Sequence, residues 1–416
     1  MIAQAAPLGA FGGVGIELEY MIVDKQGLSP LPIADRLLQA ASDKLNGEVD
    51  RGTLGWSNEM VLHVIEIKNQ RPSASLETLP APFQREVRYI DSILDAYGAR
   101  LMPTAMHPWM NPRRETRLWP HSNRELYQTY ARIFDCNSHG WANLQSMHIN
   151  LPFSGDHEFV RLHAAIRLVL PILPALAASS PLADGHNTGY ADFRMENYRI
   201  NAQSIASIAG QLIPEPVSTC DEYEKTILEP MYRDIAEFDR HGILQQEWLN
   251  SRGAIPRFDR SAIEIRVIDT QECPQADLSI AAAAVTVIKR LYDQGSGALL
   301  FQQQVDTGTL ASIFLACIRD ADQASIDHAR YLELMEFPGR RCTANELWHH
   351  LIAEMQPSGR GAAVFWREPL QTILKHGPLA RRILQAVNRD ESIAHLQAIY
   401  RQLCDCLHSG RMYLPQ

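Results

Sequence analysis

A chain of 416 residues, 46% hydrophobic and 21% charged, has the composition of a globular protein with a large packed core. A net charge of −9 with no local run of Lys or Arg argues against a nucleic-acid surface, and the scarcity of lysine leaves phosphate binding to arginines and metal ions. Seven cysteines in no disulfide or zinc spacing, no basic leader pattern, and a most apolar run (168–178) that is too short for a bilayer and holds Pro171 and Pro174 together predict a cytoplasmic protein without a membrane span.

The first element, Gly15-Ile16-Glu17-Leu18-Glu19-Tyr20, reads as a strand with Glu17 and Glu19 on one face and Ile16, Leu18 and Tyr20 on the other. Two carboxylates that close repel, and burial raises the pKa of at least one. A divalent cation between them is the simplest remedy. After a turn at 24–27, Ile33, Leu37, Leu38 and Leu45 give helical spacing over 32–45. The run from Asn58 to Ile67 is apolar on both faces apart from His63 and Glu66, which predicts a central strand. Glu59 and Glu66, seven apart, point to opposite faces of a flat strand, so either Glu59 sits in the preceding turn or a bulge re-aims one of them.

A helix is predicted from 82 to a capping Gly98, then a strand over 99–106 ending in His107-Pro108, a surface loop over 111–123 and a helix over 124–134. After a turn at 136–140, the strand at 146–151 repeats the polar device with His148 and Asn150 on one face. A proline-bent helix over 157–178 leads into a Gly/Ser/Asn-rich stretch without periodicity, 179–190, of a length that is often functional. Arg194, Arg199, Arg252, Arg257 and Arg260 flank that loop or the last polar strand, 262–267, which pairs Glu264 with Arg266 on one face.

From Asp277 the pattern is helical: to Leu291, then 310–318, 344–355, 369–374 and 379–406. Cys404 and Cys406, two apart on the last helix, diverge by about 200° and do not readily share a metal. No repeat or linker divides the chain, so one domain over 1–416 is expected, with 292–416 as a helical layer packed on it. Each polar pair alone fits a solvated strand edge, but three such strands can line one basin.

In order and spacing, Gly15 to Glu19, Glu59 with Glu66, His107-Pro108, Met147 to Asn150, Ser180-Pro181 with Thr188-Gly189 and Arg194, and Ile263 to Asp269 resemble the glutamate-cysteine ligase type 2 family of carboxylate-amine ligases. The resemblance spans about 12–291. It implies an α+β, glutamine-synthetase-like fold: a curved, mainly antiparallel sheet whose concave face binds ATP and magnesium, with helices behind. It also implies that ATP phosphorylates a substrate carboxylate, typically the γ-carboxyl of glutamate, and that an amine such as cysteine displaces phosphate to form a γ-glutamyl-type amide. Relatives of this kind often form homo-oligomers.

Position by position, the resemblance makes Glu17, Glu19, Glu59, Glu66, His148 and Glu264 metal-binding, with Glu264 and Arg266 catalytic. It places Asn150, Arg194, Arg257 and Arg266 at nucleotide or substrate. Three stretches differ from the usual pattern: Ser179-Ser180-Pro181, Asp192 and Ile67-Lys68-Asn69. The residue types suit the chemistry, since carboxylates favour Mg²⁺, or Mn²⁺ in its place, and an arginine fork neutralises charge on a transferred phosphoryl group. No Walker-type loop is present. Two other readings remain at this stage: a metal-dependent amide hydrolase acting without ATP, and a regulatory homologue that binds ATP without turnover.

Overall fold

The computed structural model describes residues 8–42, 47–355 and 364–415. The strands in chain order are β1 (Gly15–Asp24), β2 (Glu48–Asp50), β3 (Leu54–Asn58), β4 (Val64–Asn69), β5 (Ala99–Met102), β6 (Ser146–Pro152), β7 (Leu182–Ala183), β8 (His186–Asn187), β9 (Ala254–Arg257), β10 (Ala262–Asp269), β11 (Ser325–Ile326) and β12 (Cys342–Thr343). Eight of them form one open sheet in the order β2-β3-β4-β1-β6-β10-β9, with β5 beside the C-terminal half of β1. Every pairing in it is antiparallel. The mainly antiparallel α+β class expected from the sequence is the one observed, and β1 lies at its centre.

Alternation along β1 divides the molecule into two layers. Ile16, Leu18, Tyr20 and Ile22 are fully buried and share one core cluster with Phe83, Val87, Ile90 and Leu94 of the helix Pro80–Leu94. Each such aliphatic or aromatic side chain contributes roughly 1.5–3 kcal/mol on burial. Pro80 and Pro82 are tolerated there because the first helical turn has no internal partner for the amides they lack. Gly98, with φ of 63°, ends the run as the sequence predicts.

The last two helices bridge this layer and a second core cluster, in which Leu379, Ile383, Leu396 and Ile399 pack with Met21 and Val23 of β1. Gln84 and Arg88, on the helix Pro80–Leu94, donate to the carbonyls of Leu407, His408 and Ser409, the otherwise unpaired end of the helix Ile393–Ser409. Leu407 belongs to the main core cluster, and the fully buried Arg382 pairs with the fully buried Glu272.

Several sequence expectations need correction. The run 58–67 is a hairpin, because β3 ends at Asn58 and β4 begins at Val64. The connection carries no turn dipeptide, and its Val61 is apolar because it packs in a second core cluster with Val64 and Met102. The strand at 99–106 stops at Met102, since Thr104 takes φ of 81°. The helix expected over 32–45 is Ala34–Ser42, and residues 43–46 lie outside the described residues. The stretch 179–190 contains the β7/β8 hairpin. The last helix is two, Leu379–Val387 and Ile393–Ser409, broken where Asn388 and Arg389 have positive φ. The helices Ser296–Gln303 and Ala329–Leu334 were not foreseen.

Candidate active site

The second face of β1 carries the polar pairs, and antiparallel register brings its neighbours' pairs alongside. Glu17 lies opposite His148 of β6 on one side and Lys68 of β4 on the other, while Glu19 lies opposite Glu66. Asn150 of β6 lies opposite Glu264 of β10. Glu59, in the β3–β4 connection, completes the set by the first of the two routes the sequence left open.

These side chains form two groups whose potential ligand atoms lie within 4.8 Å of one another: Glu17, Glu66 and His148, and Glu19, Glu59 and Glu66. Glu66 belongs to both. His148 Nδ1 lies 3.0 Å from Glu17 Oε2 and its Nε2 lies 2.9 Å from Ser146 Oγ. Ser146 in turn donates its backbone amide and hydroxyl to Glu19 Oε2 at 2.7 and 3.0 Å. Asn150 Nδ2 donates to Glu17 Oε1 at 3.1 Å.

The protonation pattern follows from burial and crowding. Burial drives the Glu17 carboxyl up, but the hydrogen bond and charge of His148, aided by Lys68, outweigh it and hold Glu17 at about 2. Burial drives His148 down, but the hydrogen bond to Glu17 and the charge of Glu19 lift it to about 9. Burial and then the Glu17 charge raise Glu66 to about 7. Burial, Glu19 and Glu66 push Glu59 well above the usual carboxylate range. Carboxyl groups driven up in this way mark a site short of positive charge.

Glu264 and Arg266 share a face of β10 as expected, and a bulge interrupts the pairing with β6 between Ile265 and Ile268. Arg266 Nε donates to Glu264 Oε1 at 2.6 Å and Arg257 Nη1 reaches Glu264 Oε2 at 3.4 Å. Glu264 lies outside both metal-capable groups, 3.9 Å from His148 Nδ1, and its oxygens are engaged by the two arginines. Arg194, only 2% exposed, donates through Nε to Asp269 at 2.5 Å, and Asp269 also accepts from Ser179 N and Ser180 Oγ. Ser179 and Asp192, two of the departures, are fully buried. Arg199 pairs with Glu196 and Arg252 with Glu215, so neither joins the array.

Two cavities flank the carboxylates. One of about 420 Å³ is lined by Glu17, Lys68, Asn69, Gln70, Asn150 and Arg260 among others. A smaller one of about 190 Å³ is lined by Glu19, Glu59, His148, Arg194, Tyr198 and Arg266 among others. The donor set, carboxylate oxygens with one imidazole, fits a hard divalent cation, and the raised Glu59 and Glu66 are the carboxyls such an ion would hold ionised. Lys68 and Ser146 were not foreseen as site residues, although each lies two positions from a foreseen residue on its strand and the period of two extends to them.

A profile described as "Glutamate-cysteine ligase family 2 (GCS2)" matches residues 13–401. An uncharacterized protein of Archaeoglobus fulgidus is 36% identical over 276 residues, which cover 66% of this chain and 74% of that protein. A Bradyrhizobium protein named "Putative glutamate--cysteine ligase 2" is 26% identical over 280 residues, 65% of this chain and 59% of its own length. The chain thus spans about six tenths of that relative. Among solved structures, the glutamate–cysteine ligase of Francisella tularensis in complex with AMP superposes with a TM-score of 0.62 at 12% identity, covering 97% of this chain and 90% of that one. That likeness is one of fold.

Proposed function

The chain belongs to glutamate-cysteine ligase family 2, and from that premise we propose that it is an ATP-dependent ligase joining the carboxylate of glutamate or a close relative to an amine such as cysteine through an acyl phosphate. The observation that carries the reading is the pair of carboxylate groups sharing Glu66 between a larger and a smaller cavity. A cavity of about 420 Å³ falls in the range of small-molecule sites, roughly 300–1,000 Å³. It is assigned to the nucleotide, and the smaller cavity to the acid and the amine.

Glu17, Glu66 and His148, with Glu19 and Glu59, would hold Mg²⁺ or Mn²⁺. Bound there, such an ion supplies Lewis-acid screening of the phosphate oxygens. Arg266 presents its guanidinium to the charge on the phosphoryl group in transfer, and Glu264 positions it through the 2.6 Å bond to Nε. A direct cation-binding role for Glu264 would require release of Arg266 or Arg257. Asn150 lines the larger cavity and fixes Glu17, Arg194 lines the smaller one and is fixed by Asp269, and Arg257 braces Glu264.

In the first step a carboxylate oxygen of the acid bonds to the γ-phosphorus and the bond to ADP breaks. In the second the amine nitrogen bonds to the acyl carbon, phosphate leaves and the nitrogen loses a proton. The test is ADP and phosphate release with Mg²⁺, ATP and glutamate, each of a panel of amino acids and amines being added in turn, with mass spectrometry of the product. Release stimulated by one amine, with an amide of matching mass, is expected. ATP bound without stimulated release by any amine overturns the reading, and amide cleavage without ATP replaces it with a hydrolase.

A further inference from the structure

Lys68 is a cation inside the carboxylate array that neither metal-capable group includes. It is the cross-strand partner of Glu17 and shares the face of β4 with Glu66, and its Nζ lies 2.9 Å from Glu66 Oε1. Glu66 Oε1 also accepts from Ser57 Oγ at 2.5 Å, so that oxygen is fully engaged. The Lys68 side chain is 30% exposed and lines the 420 Å³ cavity beside Glu17 and Asn150. One ammonium therefore stands between the carboxylates of Glu17 and Glu66 and the space where a polyphosphate would enter.

We propose that Lys68 is a tethered cation occupying the charge seat of the Glu17–Glu66–His148 group while the larger cavity is empty, and that it transfers its contact from Glu66 to a phosphate oxygen when a nucleoside triphosphate binds. The proposal rests on the nucleotide and metal assignments above. An ammonium is a compact point charge on a four-carbon stem, which permits this exchange of partners. While it sits on Glu66 it repels a divalent ion from that group. Once it moves to phosphate, Glu66 Oε1 keeps only its bond from Ser57 and the carboxylate is open to one. Cation and nucleotide loading are thereby coupled through a residue of the chain, and the ordinary sequence of events is nucleotide first, full metal complement second.

The test uses the full chain without acid or amine, so that no turnover is required. Mn²⁺ binding is followed by electron paramagnetic resonance, and binding of a non-hydrolysable ATP analogue by calorimetry, in wild type, Lys68→Met and Lys68→Arg. Thermal unfolding of each variant reports folding, and Lys68→Arg retains the charge. Lys68→Met is expected to bind Mn²⁺ about tenfold more tightly in the absence of nucleotide and the analogue about tenfold more weakly. Lys68→Arg should stay closer to wild type on both counts. Unchanged Mn²⁺ affinity, or unchanged analogue affinity, in a folded Lys68→Met overturns the proposal and leaves the ligase reading to its own turnover assay. Absence of Mn²⁺ binding in every protein removes both.

Discussion

Two buried charge systems in this protein are built on opposite plans. Outside the strand array, Arg382 and Glu272 are both fully buried and meet one to one, and Arg382 donates further to the carbonyls of Gly377 and Tyr413. In the strand array, Glu17, Glu19, Glu59 and Glu66 crowd around His148 and Lys68, and Glu59 and Glu66 are pushed up by burial and then by the neighbouring carboxylates. The pair is balanced in charge and joins the helix Leu379–Val387 to the loop after β10. On the proposed reading the unbalanced array is completed by a cation from solution, and that imbalance is what would separate a binding site from a structural ion pair.

Breaking each system should produce opposite signatures. Glu17→Gln keeps the shape of the array but removes the carboxylate that accepts from both His148 and Asn150. Turnover with Mg²⁺ and ATP should fall by about 10⁴-fold, with the unfolding midpoint little changed. Steady-state kinetics beside thermal unfolding reads both, and wild-type turnover would remove Glu17 from the site. Glu272→Gln reverses the pattern: it leaves a buried guanidinium without a counter-charge, at a cost of about 3–5 kcal/mol in denaturant unfolding. A loss under about 1 kcal/mol would mean that Arg382 finds another acceptor.

Arg266→Lys sharpens the comparison within the site. Lysine keeps the charge but cannot both donate from Nε to Glu264 and present a planar fork to a phosphoryl group. The rate should drop by about 10²-fold with substrate KM values largely retained. A rise in KM at constant kcat would instead assign Arg266 to ground-state binding.

The array was legible in the sequence because a strand's period of two is strict. Glu17 with Glu19, His148 with Asn150, and Glu264 with Arg266 each declare a face, and β1, β6 and β10 are indeed neighbours. The same rule reaches Lys68 from Glu66 and Ser146 from His148 without further information. The hairpin at 58–67 was hidden because its connection is apolar for packing reasons and lacks glycine, proline or an Asn-Gly pair. Asp269 as the anchor of Arg194 and of the loop at Ser179 and Ser180 was not legible, since contacts across 75 to 90 positions leave no periodic trace. The break at Asn388 and Arg389 did leave a signal, an asparagine suited to left-handed geometry followed by a serine N-cap, Ser392.

The mildest substitution tests the charge argument most directly. Glu59 sits among Glu19 and Glu66, and burial with their charges makes its ionised form costly in the metal-free protein. Glu59→Gln removes that repulsion at nearly constant volume, so in EDTA the variant should be more stable than wild type by about 1 kcal/mol. Addition of Mg²⁺ should invert the order, because an ion bound only by the folded state stabilises it by RT ln(1 + [L]/Kd), about 2.7 kcal/mol at a hundredfold excess over Kd, and the variant has lost a ligand. The two unfolding curves therefore cross between EDTA and Mg²⁺. A variant less stable in both conditions would make Glu59 an ordinary structural carboxylate, and the array would then resemble the Arg382–Glu272 pair rather than oppose it.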